Sequence, residues 1–358
     1  MSDWRERSTL NGDVAFFQYV DRKLELKAQE VYVWDLDKTY LDTKIDSLSG
    51  LFNAAVEKAL NKKNVPGTKA LLSALSDYRT QVLSRDNFPI YFITASPPQM
   101  EERISEKFTI DHIQPYGCFY KDNLANLRPG RFWRLTKQVG YKLQALMQLR
   151  TRLPEQIKQI CWGDDSETDA IIYNLYSDIC SRRLGPNDIR SILEKLHVSG
   201  EQVDTILQLQ NEIPEYDPLE KIYINLAIDT DADYYLKFGR RTVGTNNTFQ
   251  VALDLVQDQR LHLEGLEAVM TDMLSNYHYT KEELAQSFDE MIRRGLIGQI
   301  AFEKIKNFLI DKKILYPTFT PSIKPAKEKM IVNGHVYEME GAFEPWVPEH
   351  IEYLREDR

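Results

Sequence analysis

The chain of 358 residues is long enough to bury a full core, either in one large α/β domain with additions or in two domains. Its 42% hydrophobic and 28% charged residues exclude a largely disordered chain. Its net charge of -9 excludes an overall positive field that would attract nucleic acid or an anionic membrane, and a nucleic-acid partner is not expected.

Local features argue against further protein classes. The cysteines Cys118, Cys161 and Cys180 are widely spaced and odd in number. This argues against a disulfide framework or a CxxC zinc site and favours buried free thiols. The N-terminus lacks the apolar segment of a signal peptide, and no uncharged apolar run reaches the about 20 residues needed to cross a bilayer. We therefore expect a cytoplasmic protein without a transmembrane segment, of undetermined oligomeric state.

The N-terminal region is predicted to be helical. Residues 11–29 combine aromatic side chains with alternating charge, a pattern that favours an amphipathic helix, and we interpret residues 1–30 as a helical lead-in. The next segment, residues 31–34, is short, β-branched and aromatic, which is typical of a strand. This strand leads directly into an acidic loop.

Strand and helix patterns alternate along the following part of the chain. The expected strands cover residues 31–34, 90–94, 117–120, 157–162 and 222–227, and the expected helices cover about residues 47–60, 68–83, 98–108, 141–152 and 168–178. This alternation predicts an α/β fold with a mostly parallel sheet that helices cover on both faces. We place this core at residues 31–248.

Three further regions complete the predicted organisation. Residues 182–220 have apolar residues at helical spacing, which predicts a helical insert within the core. Residues 249–316 show the same spacing and are predicted to form a helical C-terminal region. Residues 317–358 form a turn-rich tail, in which Asn333-Gly334 predicts the turn of a β-hairpin.

The loop after the first strand contains two aspartates, Asp35 and Asp37. The carboxyl ends of parallel strands face the crevice where ligands bind, so Asp35 is expected there. A carboxylate at that point can attack phosphorus and form an aspartyl phosphate. Asp37, projecting to the same side, can protonate the leaving oxygen and then activate water. Taken alone, the pair is equally compatible with a solvated turn or an unrelated metal-binding pair.

Two more strand ends bring candidate ligands to the same crevice. Thr94 ends the second strand, and its small hydroxyl can hydrogen-bond a phosphoryl oxygen, although a threonine before a turn is often only a cap. The fourth strand leads into Gly-Asp-Asp-Ser-Glu-Thr-Asp at residues 163–169, an acidic cluster that would need a cation to neutralise it. One of its carboxylates, with Asp35 and the carbonyl of Asp37, would provide the hard oxygen ligands that Mg²⁺ prefers. A Ca²⁺ loop is the alternative, but the spacing does not match an EF-hand.

These residues, in this order, resemble the motifs of the haloacid dehalogenase (HAD) superfamily of phosphohydrolases. The first motif is Asp35-Leu36-Asp37-Lys38-Thr39, the second ends at Thr94, and the fourth contains Gly163, Asp164 and Asp169. The resemblance implies a Rossmann-like three-layer fold with a small helical cap or inserts. It also implies that Asp35 is the nucleophile, Asp37 the acid/base and Thr94 a phosphate ligand. Asp164 would bind Mg²⁺ together with Asp35 and Asp37, and Asp169 would support the metal site.

The third motif of the superfamily is a lysine that neutralises the charge of the phosphoryl group and of the nucleophile. Lys137 and Lys142 both precede the fourth motif at an acceptable distance. We favour Lys142 because it opens an apolar helical pattern, whereas Lys137 lies in a polar stretch.

Within the superfamily, the chain is most similar to the actin-patch-associated phosphatidate phosphatase family over residues 31 to about 228. The likeness rests on Phe-Ile-Thr-Ala-Ser-Pro-Pro-Gln at 92–99, Val-Pro-Gly at 65–67, Tyr-Lys-Asp at 120–122 and the segment 163–173. The family usually has Ser-Asn-Ser-Pro where this chain has Thr-Ala-Ser-Pro, a departure that keeps the hydroxyl positions.

The leading hypothesis is a Mg²⁺-dependent phosphatase with a phosphomonoester substrate. A short cap region implies an open mouth, which suits a phosphate on a lipid such as phosphatidate. A nucleotide or nucleic-acid end phosphatase is the alternative enzyme, favoured by a basic and aromatic stretch at Lys121, Arg128, Arg131, Trp133 and Arg134. A non-catalytic protein-binding module on the same fold is the third hypothesis. The acidic loop would serve a phosphotransferase equally well.

Overall fold

The computed structural model describes residues 4–20, 29–42, 63–82, 88–122, 138–165, 168–325, 331–332, 335–336 and 346–354. The chain divides into two units. The first comprises Met1–Lys63, Pro89–Val243 and Glu349–Arg358, and the second comprises Asn64–Phe88 and Gly244–Pro348. Residues 64–88 therefore group with the C-terminal helices, whereas the sequence placed them in the core at 31–248.

A mostly parallel sheet organises the first unit. Among the described residues it has eight strands: β1 (Thr9–Asn11), β2 (Val14–Gln18), β3 (Glu30–Asp35), β4 (Ile90–Thr94), β5 (Gly117–Lys121), β6 (Lys158–Asp164), β7 (Leu219–Asn225) and β8 (Thr242–Thr245). Their spatial order is β1-β2-β5-β4-β3-β6-β7-β8, and the five strands from β5 to β7 are parallel. This arrangement confirms the predicted α/β class.

The strand order reverses at β3. From β3 the chain proceeds to β4 and β5 on one side, and it then returns to β6 and β7 on the other side. Strands β3 and β6 pair directly, with Trp34 opposite Trp162. In open α/β sheets, ligands bind beyond the carboxyl ends of the strands at such a reversal. The sheet therefore offers a binding crevice at the ends of β3 and β6.

Helices α3 (Val139–Arg150), α4 (Asp169–Cys180), α5 (Pro186–Lys195) and α6 (Gly200–Glu212) contribute to the core on one face of the sheet. Alternate strand residues such as Val33 and Ile93 pack into this core with Leu146 and Ile206. Every residue of α3 is buried. The insert predicted at 182–220 is helical, and α5 and α6 supply core residues rather than an exposed lid.

Aromatic rings line the opposite face of the sheet. The rings of Trp34 and Trp162 stack at 4.7 Å between centroids. Phe92 stacks at 4.5 Å on Phe108 of helix α2 (Glu101–Ile110). The alternation of aliphatic and aromatic side chains along β3 and β6 thus follows the two faces of the sheet. All three cysteines are buried free thiols, as expected from their spacing.

The predicted helical lead-in is wrong for Thr9–Gln18, which form the antiparallel strands β1 and β2. Asn11 pairs with Val14 and leaves Gly12 and Asp13 as a two-residue turn. Gly12 has φ 57°, and glycine adopts at little cost the positive φ that a type II′ hairpin turn requires at its first central residue. Strand β2 then pairs antiparallel with β5 and extends the sheet. Residues 21–28 lie outside the described part of the chain.

The second unit is helical, as predicted for its C-terminal part. Its helices are α1 (Thr68–Asp77), α7 (Thr248–Gln257), α8 (Leu263–Asn276), α9 (Lys281–Arg293) and α10 (Gln299–Asp311). Helix α1 packs on α8, and Phe288 stacks on Phe302 between α9 and α10. Two short strands, β9 (Ile331–Val332) and β10 (His335–Val336), pair antiparallel, which confirms the hairpin strands. Their turn at 333–334 and the helix predicted at 47–60 lie outside the described residues.

In the part of the chain that the structure describes, no helix has the length and apolar character needed to span a membrane.

Candidate active site

A tight turn follows β3 and carries both aspartates of the first motif. Leu36 N donates to Ile93 O at 3.0 Å, so the residue after Asp35 still pairs with β4. Leu41 N donates to Leu36 O and Lys38 N donates to Leu41 O, each at 2.8 Å. Lys38 has φ 58°, in the left-handed region that a lysine rarely adopts. The turn reverses the chain within a few residues and keeps both carboxylates at the end of the strand.

Helix α3 delivers Lys142 to Asp35. Its Nζ lies 2.8 Å from Asp35 Oδ1 and 2.6 Å from Asp169 Oδ1. All three side chains are at most 1% exposed. Burying charges at this level is costly unless opposite charges contact each other, and here the ammonium lies between two carboxylates. A lysine in this position holds the candidate nucleophile in place, and its positive charge offsets the negative charge of the carboxylate.

The loop after β6 adds a third buried carboxylate. Oxygen atoms of Asp35, Asp164 and Asp169 all lie within 4.8 Å of one another. The backbone N–H of Asp164 donates to Asp169 Oδ2 at 3.2 Å, which fixes the start of α4 against the end of β6. A Cβ on Gly163 would lie 2.4 Å from Asp169 Oδ2, so this close approach requires glycine.

The donor set fits a hard divalent cation. Lys142 contacts two of these three buried carboxylates, and a bound cation would stabilise carboxylates gathered in low-dielectric surroundings. Carboxylate oxygens are the ligands that Mg²⁺ and Ca²⁺ prefer. Asp35, Asp164 and Asp169 could therefore hold such an ion among the described residues.

Thr94 contacts the second aspartate of the turn. Its Oγ1 donates to Asp37 Oδ2 at 2.9 Å and accepts from the backbone N–H of Ser96 at 3.0 Å. Thr94 is fully buried, while Asp37 is only half-buried. An acid/base group needs such partial access to exchange protons with water, and Thr94 fixes its orientation. The expected contact of Thr94 with a phosphoryl oxygen stays a prediction.

The buried phenol of Tyr141 hydrogen-bonds the backbone of Thr94. Tyr141 is the neighbour of Lys142 on α3, and its hydroxyl lies 2.7 Å from Thr94 O and 2.9 Å from Phe119 O. Burial raises the pKa of Tyr141 well above its ordinary value, so the phenol keeps its proton and donates to these carbonyls. Helix α3 thereby anchors the end of β4 through Tyr141 and the end of β3 through Lys142.

The structure brings six predicted site residues to one edge of the sheet. They are Asp35, Asp37, Thr94, Lys142, Asp164 and Asp169. The competing Lys137 and the basic residues from Arg128 to Arg134 lie outside the described residues. Lys121, the first residue of the basic and aromatic stretch, is buried at the end of β5.

The sequence analysis did not single out Asn225, and it included Asp165 only as a member of the acidic cluster at residues 163–169. Asn225 Nδ2 donates to the carbonyl of Lys38 at 3.2 Å, and Asp165 Oδ2 accepts from the backbone N–H of Ala227 at 3.0 Å. Asn225 ends β7, so its position at a strand end was the signal. The strand was predicted at 222–227, which placed Asn225 inside the strand and hid that signal.

Comparison with known families agrees with this site. Residues 31–193 match the family described as phosphatidate phosphatase APP1, catalytic domain. The matched range contains all six predicted site residues. No curated protein and no solved structure matches the chain. The match confirms the resemblance to the actin-patch-associated phosphatidate phosphatase family and supports a phosphatase. Over residues 31–193, the chain carries a domain similar to the catalytic domain of phosphatidate phosphatase APP1.

Proposed function

We propose that the protein is a Mg²⁺-dependent phosphoric monoester hydrolase of the HAD type, with a phosphatidate-like lipid as its substrate. The observation that carries the proposal is the contact of Lys142 Nζ with Asp35 Oδ1 at 2.8 Å, beside Asp164 and Asp169. A nucleophilic carboxylate at a strand end, a lysine and a carboxylate cluster are the parts that phosphoryl transfer needs. The Rossmann-like fold assignment is supported by the strand reversal at β3.

Asp35 and Asp37 divide the proposed reaction between them. In the first half, an Asp35 oxygen forms a bond to phosphorus while the bond from phosphorus to the leaving oxygen breaks. Asp37 gives its proton to that oxygen. In the second half, Asp37 takes a proton from water as the water oxygen attacks phosphorus. The bond between phosphorus and Asp35 then breaks, which releases phosphate and restores both carboxyl groups.

The other site residues hold the reacting groups in place. Lys142 keeps Asp35 in one orientation and offsets negative charge that gathers on the phosphoryl oxygens. Thr94 fixes the carboxylate of Asp37 through the 2.9 Å hydrogen bond, and it is proposed to contact a phosphoryl oxygen as well. The hydroxyl of Thr39 lies 3.4 Å from Asp35 Oδ2 and limits rotation of that carboxylate.

Mg²⁺ would be held by Asp35, Asp164 and the carbonyl of Asp37, with Asp169 supporting the site. When bound, it would supply the positive charge that offsets the phosphoryl group. The buried carboxylates of Asp35, Asp164 and Asp169 support this assignment.

Lipid is the proposed carrier of the phosphate because residues 31–193 match a phosphatidate phosphatase catalytic domain. The net charge of -9 does not favour a nucleic-acid substrate. Water is the proposed acceptor of the phosphoryl group, which makes the protein a hydrolase rather than a phosphotransferase.

Phosphate release from three substrates tests the proposal. Phosphatidate in mixed vesicles, a nucleoside monophosphate and p-nitrophenyl phosphate are each incubated with wild type, Asp35→Asn or Asp311→Asn, with Mg²⁺ or with EDTA. Asp311 is exposed at the end of α10, so its variant is the matched control.

We expect the fastest turnover with phosphatidate and a loss of activity of at least about 1,000-fold in Asp35→Asn. Phosphate release by wild type should be lost when EDTA replaces Mg²⁺. Faster turnover of the nucleotide would reject the lipid substrate. Equal activity of Asp35→Asn and wild type would reject the mechanism. No release from any substrate with Mg²⁺ would favour a protein-binding module.

A further inference from the structure

Asn225 joins two loops of the candidate active site. Its side-chain Nδ2 donates to the carbonyl oxygen of Lys38 at 3.2 Å, in the turn that carries Asp35 and Asp37. Its own carbonyl oxygen accepts from the backbone N–H of Asp165 at 3.1 Å, in the loop that carries Asp164. The last residue of β7 is thus bonded to the loops after both β3 and β6.

Contacts from outside the turn help to keep Lys38 in its left-handed conformation, and the hydrogen bond to its carbonyl is one of them. Lys38 has φ 58°, and a residue with a Cβ keeps this conformation only where its surroundings enforce it. Its carbonyl belongs to the peptide group that joins Lys38 to Thr39, and its N–H belongs to the peptide group that carries the Asp37 carbonyl. A rotation at Lys38 would therefore change how these two peptide groups are oriented to each other, and the main chain at Asp37 would have to shift with them.

Asp165 holds the segment that directly follows β7. Its Oδ2 accepts from the backbone N–H of Ala227 at 3.0 Å and from the hydroxyl of Thr230. Thr230 N also donates to Ala227 O at 3.1 Å, which closes a turn directly after β7. Asn225 lies at the end of a strand that pairs with β6 up to Asp164, so its backbone is held in a fixed position. From this position its side-chain amide donates to Lys38.

We propose that Asn225 is a positioning residue for the phosphatase reaction, which holds Asp37 in its working orientation through the carbonyl of Lys38. This inference rests on the proposed function. Asn225 touches neither the phosphoryl group nor the metal in this role. Its effect passes through one hydrogen bond to the strained residue beside the acid/base.

Two variants separate the hydrogen bond from the packing of the side chain. Asn225→Asp keeps the size of the side chain and replaces the donor with a carboxylate that repels the Lys38 carbonyl at pH 7. Asn225→Ala removes the side chain. Asn276→Asp is the matched control, because Asn276 is exposed near the end of α8 and bonds Asp272 at 2.7 Å.

We expect both Asn225 variants to lower kcat about 10-fold at pH 7 with KM changed less than about 2-fold, and Asn276→Asp to match wild type.

Amide hydrogen exchange gives a second readout that does not depend on activity. In Asn225→Asp at pH 7, the peptide covering residues 35–42 should exchange at least about 5-fold faster than in wild type, while exchange in α3 stays the same. A wild-type rate of exchange in this peptide, or a kcat within 2-fold of wild type in both Asn225 variants, would overturn the inference. An inactive wild type would instead reject the proposed function, and the exchange result would still decide the role of Asn225.

Discussion

Lys142 on α3 and Asp35 on β3 form a fully buried ion pair, with 2.8 Å between Nζ and Oδ1 and side chains that are each 1% exposed. The same ammonium contacts Asp169 at 2.6 Å. One lysine therefore connects the first and fourth motifs. A buried charge that loses its partner is strongly penalised, so stability and activity should both depend on this contact.

Replacement of Lys142 by methionine tests that dependence. The Lys142→Met variant keeps an unbranched side chain but leaves Asp35 and Asp169 without the ammonium. We expect loss of at least about 100-fold in kcat and of about 3 kcal/mol in the free energy of unfolding. Urea unfolding and phosphate release measure the two effects.

The exposed Lys195, in the last turn of α5, provides the matched control Lys195→Met. It should differ from wild type by less than about 0.5 kcal/mol. Full activity of Lys142→Met would show that the lysine has no part in the reaction.

Thr94→Val removes the donor to Asp37 and preserves the shape of the side chain. We expect kcat to fall about 10-fold because the carboxylate of Asp37 loses the hydrogen bond that helps to orient it, and Thr94→Ser should recover most of the activity. Steady-state kinetics with p-nitrophenyl phosphate measures both variants. If Thr94→Ser were as slow as Thr94→Val, the hydroxyl would not be the group that matters.

Gly163→Ala places a Cβ 2.4 Å from Asp169 Oδ2 and 2.5 Å from Asp169 Cβ. The start of α4 would have to move, so we expect a loss of about 2 kcal/mol in stability and a weaker response of activity to Mg²⁺. Gly200→Ala is the control, because a Cβ there meets nothing within 4 Å. It lies at the first turn of α6 and should be neutral or slightly stabilising. Thermal unfolding with and without Mg²⁺ measures the stability of both variants. Equal stability of Gly163→Ala and Gly200→Ala would contradict the close approach of Gly163 to Asp169.

Asp217 makes stability depend on pH in the acidic range. Burial would raise its pKa, but Arg241, a hydrogen bond from Ser177 and Arg183 lower it to a net value below the ordinary one. A carboxyl with a depressed pKa stabilises the fold above its unfolded pKa, and this contribution is lost as pH falls through the folded pKa.

Asp217→Asn should therefore cost about 3 kcal/mol at pH 7, where it leaves the buried Arg241 without its carboxylate partner at 2.9 Å. The difference from wild type should shrink as pH falls below about 4. Urea unfolding at several pH values measures this trend, with Asp204→Asn as the exposed control. A difference that is constant with pH would contradict the assignment.

The strand ends of the candidate site could be predicted because each combines a short apolar strand with an acid or hydroxyl directly after it. Asp35, Thr94 and Asp164 all end strands in the structure. Lys142 could be chosen over Lys137 because it begins an apolar pattern, and α3 proves to be buried on all sides. Local periodicity was sufficient to predict a helix or strand wherever one face of that element is buried in the core.

The remaining features depend on contacts between distant segments. Residues 11–29 combine aromatic and charged side chains in a pattern that also fits a helix, and pairing of β2 with β5 determines that Val14–Gln18 form a strand. The grouping of α1 with α8 joins segments far apart in the chain. The role of Asn225 depends on a single hydrogen bond to Lys38, which no local pattern encodes.

Covalent trapping of the phosphoryl group on Asp35 is the most direct test of the central claim. Wild type and Asp37→Asn are mixed with substrate and Mg²⁺, quenched in acid and reduced with borohydride, which converts an aspartyl phosphate to homoserine. Peptide mass spectrometry then locates the converted residue. The proposed mechanism predicts homoserine at position 35. With p-nitrophenyl phosphate the level should be higher in Asp37→Asn, because the p-nitrophenolate leaving group needs no proton from Asp37 whereas the attacking water does. Turnover of substrate by wild type with no conversion at position 35, or with conversion at another aspartate, would contradict it.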